Sequence, residues 1–199
     1  MGEFEVVTTT LQQEHHALSV VVAAMQRMLH DIHARRGEPD FGLFAAALYY
    51  IDDFPGRCHH PKEDEFLFAT LRRRTSRHDA VLDELQAEHV RSEQLVAYLH
   101  RALVHYQGGA PGGLRLFRDA VDAYANLLGD HMRKEERLLE DMQAHLNDAD
   151  WSAIAVAFES NDDPLFGKSR RSEFDRLFHR IQNRLPRKLK KPARDGRES

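Results

Sequence analysis

Apolar residues recur along this chain at steps that alternate four and three. The first run is Leu11, His15, Leu18, Val22, Met25, Leu29 and Ile32. That period puts every member on one stripe of a helix, facing a bundle interior. The TTT at 8–10 offers a helix cap before the run, and RRGEPD at 35–40 ends it. A second segment starts at Asp40, a good N-cap residue, with Phe44, Leu48 and Ile51 inward. Pro55, Gly56 and Pro61 then predict a kink or a break. Beyond it, His59, Glu63, Phe66 and Thr70 share a face, and the arginines of RRRTSR suit a helix C-terminus. The third stripe is Leu82, Leu85, His89, Ser92, Val96, Leu99 and Leu103. QGGAPGG at 107–113 reads as a flexible linker. The fourth and cleanest stripe is Leu114, Phe117, Val121, Tyr124, Leu128, His131, Glu135, Leu138 and Met142.

Four long amphipathic segments with short connections predict an all-α protein, an up-down-up-down four-helix bundle over 8–147. NDADW at 147–151 can cap a short helix reaching Ala157, and NDDPLFG at 161–167 reads as a turn. A further apolar stripe follows at Phe174, Leu177, Phe178, Ile181 and Leu185, flanked by Arg176, Arg180 and Arg184. Residues 148–185 therefore read as a C-terminal helical extension. Its basic helix is expected to dock on the bundle, with an anionic membrane or a protein partner as alternatives. Residues 186–199 read as a basic disordered tail.

Composition narrows the class. The 199 residues are 42% hydrophobic, enough for a sizeable core, and 30% charged, as in a soluble protein. A net charge of -4 gives no footprint for nucleic acid or an anionic membrane. One cysteine, Cys58, excludes a disulfide framework and a Cys-rich zinc site. The N-terminus lacks the pattern of a signal peptide and no apolar run is long enough to span a membrane, so a cytoplasmic protein is expected. The thirteen histidines stand out, and the stripes show which of them point inward.

Two elements of the chain are written twice. LQQEHHAL at 11–18 aligns with LQAEHVRS at 85–92, and HHPKEDEF at 59–66 aligns with HMRKEERL at 131–138, through H-x-x-K-E and a second acid. The offsets are 74 and 72 residues. Two motifs repeated in order at nearly one offset predict two helical hairpins of the same plan. His15, His59, Glu63, His89, His131 and Glu135 then occupy the apolar register of four helices. An antiparallel bundle brings them to one level, and the i, i+4 spacing stacks each His with its Glu.

Burying an ionised carboxylate without a partner costs several kcal/mol. Six such groups would cancel the ~5–15 kcal/mol of stability that a domain commands. A cation resolves the conflict, because imidazole nitrogens and carboxylate oxygens are both ligands. Six ligands exceed what one tetrahedral zinc needs and suit two ions. With about six donors per ion, four imidazoles, two bridging glutamates and a bridging oxo or hydroxo group leave about two positions open. A nitrogen and oxygen set without thiolate favours iron or manganese over zinc. His60 is an additional candidate, because the proline break can swing it inward. His16, about 100° around its helix from His15, is read as exposed. His78 is read as a surface residue, and Asp64, at i+4 from His60, as a solvated charge in preference to an acid supporting a ligand.

These residues carry a family likeness. The pattern H, H-x-x-x-E, H, H-x-x-x-E on four helices resembles the hemerythrin-like HHE cation-binding proteins over roughly 10–167, and the DW…DDPLFG stretch resembles bacterial members. The resemblance implies a non-haem di-iron centre in a four-helix bundle. His15, His59, His89 and His131 would be terminal ligands, and Glu63 and Glu135 would bridge. It also implies binding of dioxygen or a related oxidant such as nitric oxide or peroxide. Oxygen-carrying hemerythrins have a fifth histidine one turn from the third-helix ligand. Here those positions hold Leu85 and Glu93. The functions to weigh are an oxidant-binding module for sensing, storage or stress defence, a di-iron enzyme of catalase, peroxidase or nitric-oxide-reducing type, and an iron- or redox-responsive regulator.

Overall fold

The computed structural model describes residues 2–159 and 180–181. Among these the chain is helical, with no strand. Helix α1 spans Glu3–His33, α2 Phe41–Phe54, α5 Asp79–Gln107, α6 Gly113–Met142 and α7 Asp148–Glu159. Between α2 and α5 lie a wide π-wound turn at Pro55–His59, the short α3 at His60–Lys62, a second π-wound stretch at Glu63–Phe68, and α4 at Ala69–Arg74. Helix α1 packs on α2 and α6, and α5 packs on the same two, which closes an up-down-up-down bundle. Helix α7 lies along α1.

Several local signals act as expected. The Asp40 carboxylate accepts the Leu43 N–H at 3.1 Å and starts α2. Asn147 and Asp150 cap α7 reciprocally, each side chain accepting the other's N–H at 3.0 Å. The TTT at 8–10 does not cap α1, which begins at Glu3. Thr8 and Thr10 instead return their hydroxyls to the Phe4 and Val6 carbonyls at 2.9 Å. Tertiary packing favours the longer helix, since Phe4 meets Trp151 of α7 edge-on and Val7 is fully buried.

Of the kink or break predicted at Pro55–Pro61, the structure shows a change of winding and not a break. The helical path continues to Arg74 but unwinds to i→i+5 hydrogen bonds, with the His60 N–H on the Pro55 carbonyl. Pro55 and Pro61 bring no N–H of their own to the ladder, and wider winding accommodates that loss. The register shifts as a result. Phe66, expected inward, is 39% exposed, while Leu67 and Phe68 are buried in its place. The linker at 107–113 is an ordered turn. Gly109 and Gly112 adopt φ of 71° and 76°, and a Cβ on Gly113 would stand 2.8 Å from the Tyr106 Cα.

The core divides in two. A larger apolar cluster runs from Leu18 to Leu29 of α1, through α2, to Val96–Leu103 of α5 and Phe117–Met132 of α6. A second gathers Val7, Leu11, Leu67, Phe68, Leu85, Leu138 and Trp151. In α1, Pro55–Phe68, α5 and α6, the residues between the two clusters are the polar ones that interrupted the apolar stripes. Of the predicted C-terminal extension, α7 is described, together with Ile181, buried against the larger cluster, and Arg180, paired with Asp40. The rest of the 161–185 readings and the 186–199 tail lie outside the described residues.

Candidate metal centre

The layer between the two apolar clusters contains His15, His59, His60, Glu63, His89, His131 and Glu135, all buried. The structure brings all six stripe residues together, with His60 beside them. Ligand-type atoms of His15, His59, Glu63 and Glu135 lie within 4.8 Å of one another, as do those of Glu63, His89, His131 and Glu135. The two nests share both glutamates. Each glutamate faces its own helix's histidine and one across the bundle. Glu63 meets His59 Nε2 at 3.1 Å and His89 Nε2 at 3.3 Å. Glu135 meets His131 Nε2 at 3.4 Å and His15 Nε2 at 3.1 Å. The repeat in the sequence has become a pseudo-twofold arrangement in space.

The outward faces of the rings are tied to acids. His59 Nδ1 contacts Glu14 at 2.7 Å, His131 Nδ1 contacts Glu88 at 3.1 Å, and His89 Nδ1 contacts Asp64 at 3.2 Å. A carboxylate at Nδ1 holds the proton there and turns the Nε2 lone pair inward, the usual support of a metal-bound imidazole. Glu14 and Glu88 are the glutamates of the repeated EH pair, and neither lies on an apolar stripe. They sit one residue before the stripe and reach back across the bundle. The signal was their recurrence in both copies. Asp64, read as solvated, is a partner of His89 because the π-wound turn rotates it toward α5.

His60 is drawn in by the same winding. Two consecutive residues, His59 and His60, are both buried there. The His60 ring stacks on His89, with centroids 4.1 Å apart and planes at 13°. Its ligand-type nitrogen groups with those of His89 and His131. His16 is exposed, as expected. His78 is buried rather than on the surface, packed against His145 with centroids 5.5 Å apart.

Electrostatics shows what the layer lacks. No oxygen of Glu63 or Glu135 takes a well-formed hydrogen bond, and neither nitrogen of His15 has such a partner. His89 Nε2 and His131 Nε2 point at each other at 3.2 Å. Without a cation, protons must hold this layer together. Burial by itself would lower His15, but its contacts with Glu135 and Glu63 raise it to about 10. His89 likewise rises to about 10, against burial, through Asp64 and Glu63. Burial works to raise Glu63, and the surrounding His59, His15 and His89 hold it well below the usual carboxylate range. His60 goes the other way, pushed well below its ordinary value by burial and by the charge of His89. Orphaned carboxylate oxygens facing inward imidazole nitrogens fit divalent cations, because one ion satisfies donor atoms that otherwise compete for protons.

A small void of about 10 Å³ lies against His60, His89, Ser92 and His131. Tyr124 is buried near it; burial pushes its phenol up to about 12, with the Ser92 hydroxyl beside it. A larger cleft of about 410 Å³ opens between α2 and α5, with His60 and Ser92 on its lining.

Comparison with known families agrees with this geometry. The family model of the hemerythrin HHE cation binding domain matches residues 6–142. No curated protein and no solved structure matches the chain.

Proposed function

The chain belongs to the hemerythrin HHE cation-binding family, and from that premise we propose that it is a non-haem di-iron protein that binds dioxygen or a related small oxidant. The observation that carries this reading is the sharing of Glu63 and Glu135 between two nests of buried donors. His15 and His59 would hold one ion, His89 and His131 the other, and Glu63 and Glu135 would serve both. His60 stands where it can add a third imidazole to the second nest, in place of the histidine missing at Glu93. The two nests then offer unequal donor sets.

When bound, a ferrous pair supplies the electrons with which dioxygen, nitric oxide or peroxide is captured. The chain's own residues do the rest. Glu14, Asp64 and Glu88 fix the imidazole tautomers. Glu63 and Glu135 neutralise the cationic charge in a buried layer. The two apolar clusters exclude bulk water from either side. Iron is favoured over zinc because the nests together offer more nitrogen and oxygen donors than tetrahedral ions use.

The decisive experiment is metal analysis of protein purified without chelator, followed by optical spectra before and after air. Two irons per chain and a visible band that is reversible on deoxygenation are expected. Protein holding one zinc, or no metal, would refute the reading. The cleft that reaches His60 favours turnover as a second reading, since it gives a reactant access to the layer. Sustained consumption of peroxide or nitric oxide, abolished in Glu135→Ala, would select the enzyme over the carrier, and purely stoichiometric consumption would exclude it.

A further inference from the structure

The cleft between α2 and α5 is far larger than a diatomic gas requires, and its exposed end is lined by carboxylates. Its volume is about 410 Å³, against roughly 30 Å³ for one water molecule. Asp52, Asp53 and Glu93 line it. Arg57, on the same wall, is tied to Asp53 at 2.9 Å, so Asp52 and Glu93 carry the net charge of the mouth. Asp52 is 60% exposed on its side chain, with His100 at 3.4 Å, and Glu93 is exposed. Deeper in stands His60, 7% exposed, whose Nδ1 has no hydrogen-bond partner. His60 and Ser92 line both this cleft and the small void against His89 and His131. The lining thus runs from exposed carboxylates, through an imidazole whose Nδ1 has no hydrogen-bond partner, to the nest of His89, His131, Glu63 and Glu135.

We propose that this cleft is the route by which a divalent cation enters the centre, with Asp52 and Glu93 collecting the ion and His60 passing it to the His89–His131 nest. The proposal rests on the di-iron reading above. Carboxylates at the mouth raise the local cation concentration, and the effect weakens as salt screens exposed charge. A buried nitrogen with no proton-bearing partner gives the arriving ion its first replacement for lost water.

The test follows anaerobic uptake of ferrous ion by the full chain, stripped of metal and confirmed helical by circular dichroism. Asp52→Asn with Glu93→Gln should slow uptake about tenfold at low salt and leave the final stoichiometry unchanged. The difference should vanish at roughly 0.5 M salt. The charge-matched control Glu3→Gln with Glu140→Gln, on exposed positions away from the cleft, should keep the wild-type rate. A Cβ on Gly56, which lines the cleft, meets nothing within 4 Å. Gly56→Phe should therefore fold, and slow both uptake and release to a ferrous chelator, at every salt concentration. Wild-type rates in both cleft variants, with normal stoichiometry, would overturn the route and leave the metal centre standing. A wild-type chain that binds no ferrous ion at equilibrium would overturn both.

Discussion

Replacing Glu14 with leucine isolates what a residue that touches no ion contributes to holding one. The side chain is 5% exposed and its carboxylate meets His59 Nδ1 at 2.7 Å. Leucine fills similar volume but accepts nothing. The Nδ1–H is left buried without a partner, at a cost of about 1–3 kcal/mol, and the ring loses its reason to keep Nε2 inward. Loss of such a support typically weakens metal binding ~10–100-fold, or about 1.4–2.7 kcal/mol. The corresponding Glu88 contact is longer, 3.1 Å, its side chain is 14% exposed, and Lys134 shares its charge. Glu14→Leu should therefore sit near the hundredfold end and Glu88→Leu near the tenfold end. Each should weaken one of two ions. The assay is anaerobic titration with ferrous or cobaltous ion against a chromophoric chelator, resolved into two binding steps. Glu14→Gln, whose amide oxygen still accepts from Nδ1, should fall between wild type and leucine. In a His59→Ala background Glu14→Leu should cost nothing further, because its effect travels through that ring. A helical Glu14→Leu protein that binds both ions at wild-type affinity, or an additive double variant, would refute the reasoning.

Loading should also release protons: His15 and His89 remain protonated up to about pH 10 without a cation, so about two protons per chain should appear in a weakly buffered indicator solution at pH 8. Because these two pKa values are raised from 6.5, their contribution to the stability of the chelated protein is full below about pH 6.5 and is lost as pH rises through about 10; a Tm that stays level over that window in circular dichroism melts would contradict this. Gly113→Ala should lower the Tm, with a loss of about 1–3 kcal/mol, since its Cβ would meet the Tyr106 backbone at 2.8 Å; an unchanged melting curve would mean that the α5–α6 turn yields.

The four stripes, their order and the interruption of each by histidine or glutamate were legible in the sequence, because a period near 3.6 fixes which residues share a helix face. The repeat made the inward set of six readable as well. Asp40, Asn147 and Asp150 could be read as caps for the same reason, since capping acts within one helical turn. What periodicity does not carry is a change of helical winding. Across Pro55–Phe68 the chain winds wider in two stretches without leaving its helical path, and several positions phased on an α-helix there were displaced, although His59 and Glu63 stayed inward. Phe66 moved out, Leu67 moved in, and His60 and Asp64 turned toward α5.

An all-α bundle with a polar layer of histidines and glutamates at mid-height follows from residue order alone, because side-chain spacing along a helix is a local property. How that layer is wired depends on the packing of the helices. Glu14 serves His59, Glu88 serves His131, Glu63 reaches His89 and Glu135 reaches His15. Each of those contacts joins residues from different helices, and their distances depend on how the helices approach and rotate against one another. That approach is set by the packing of the two apolar clusters above and below, a sum over many side chains that no single spacing records.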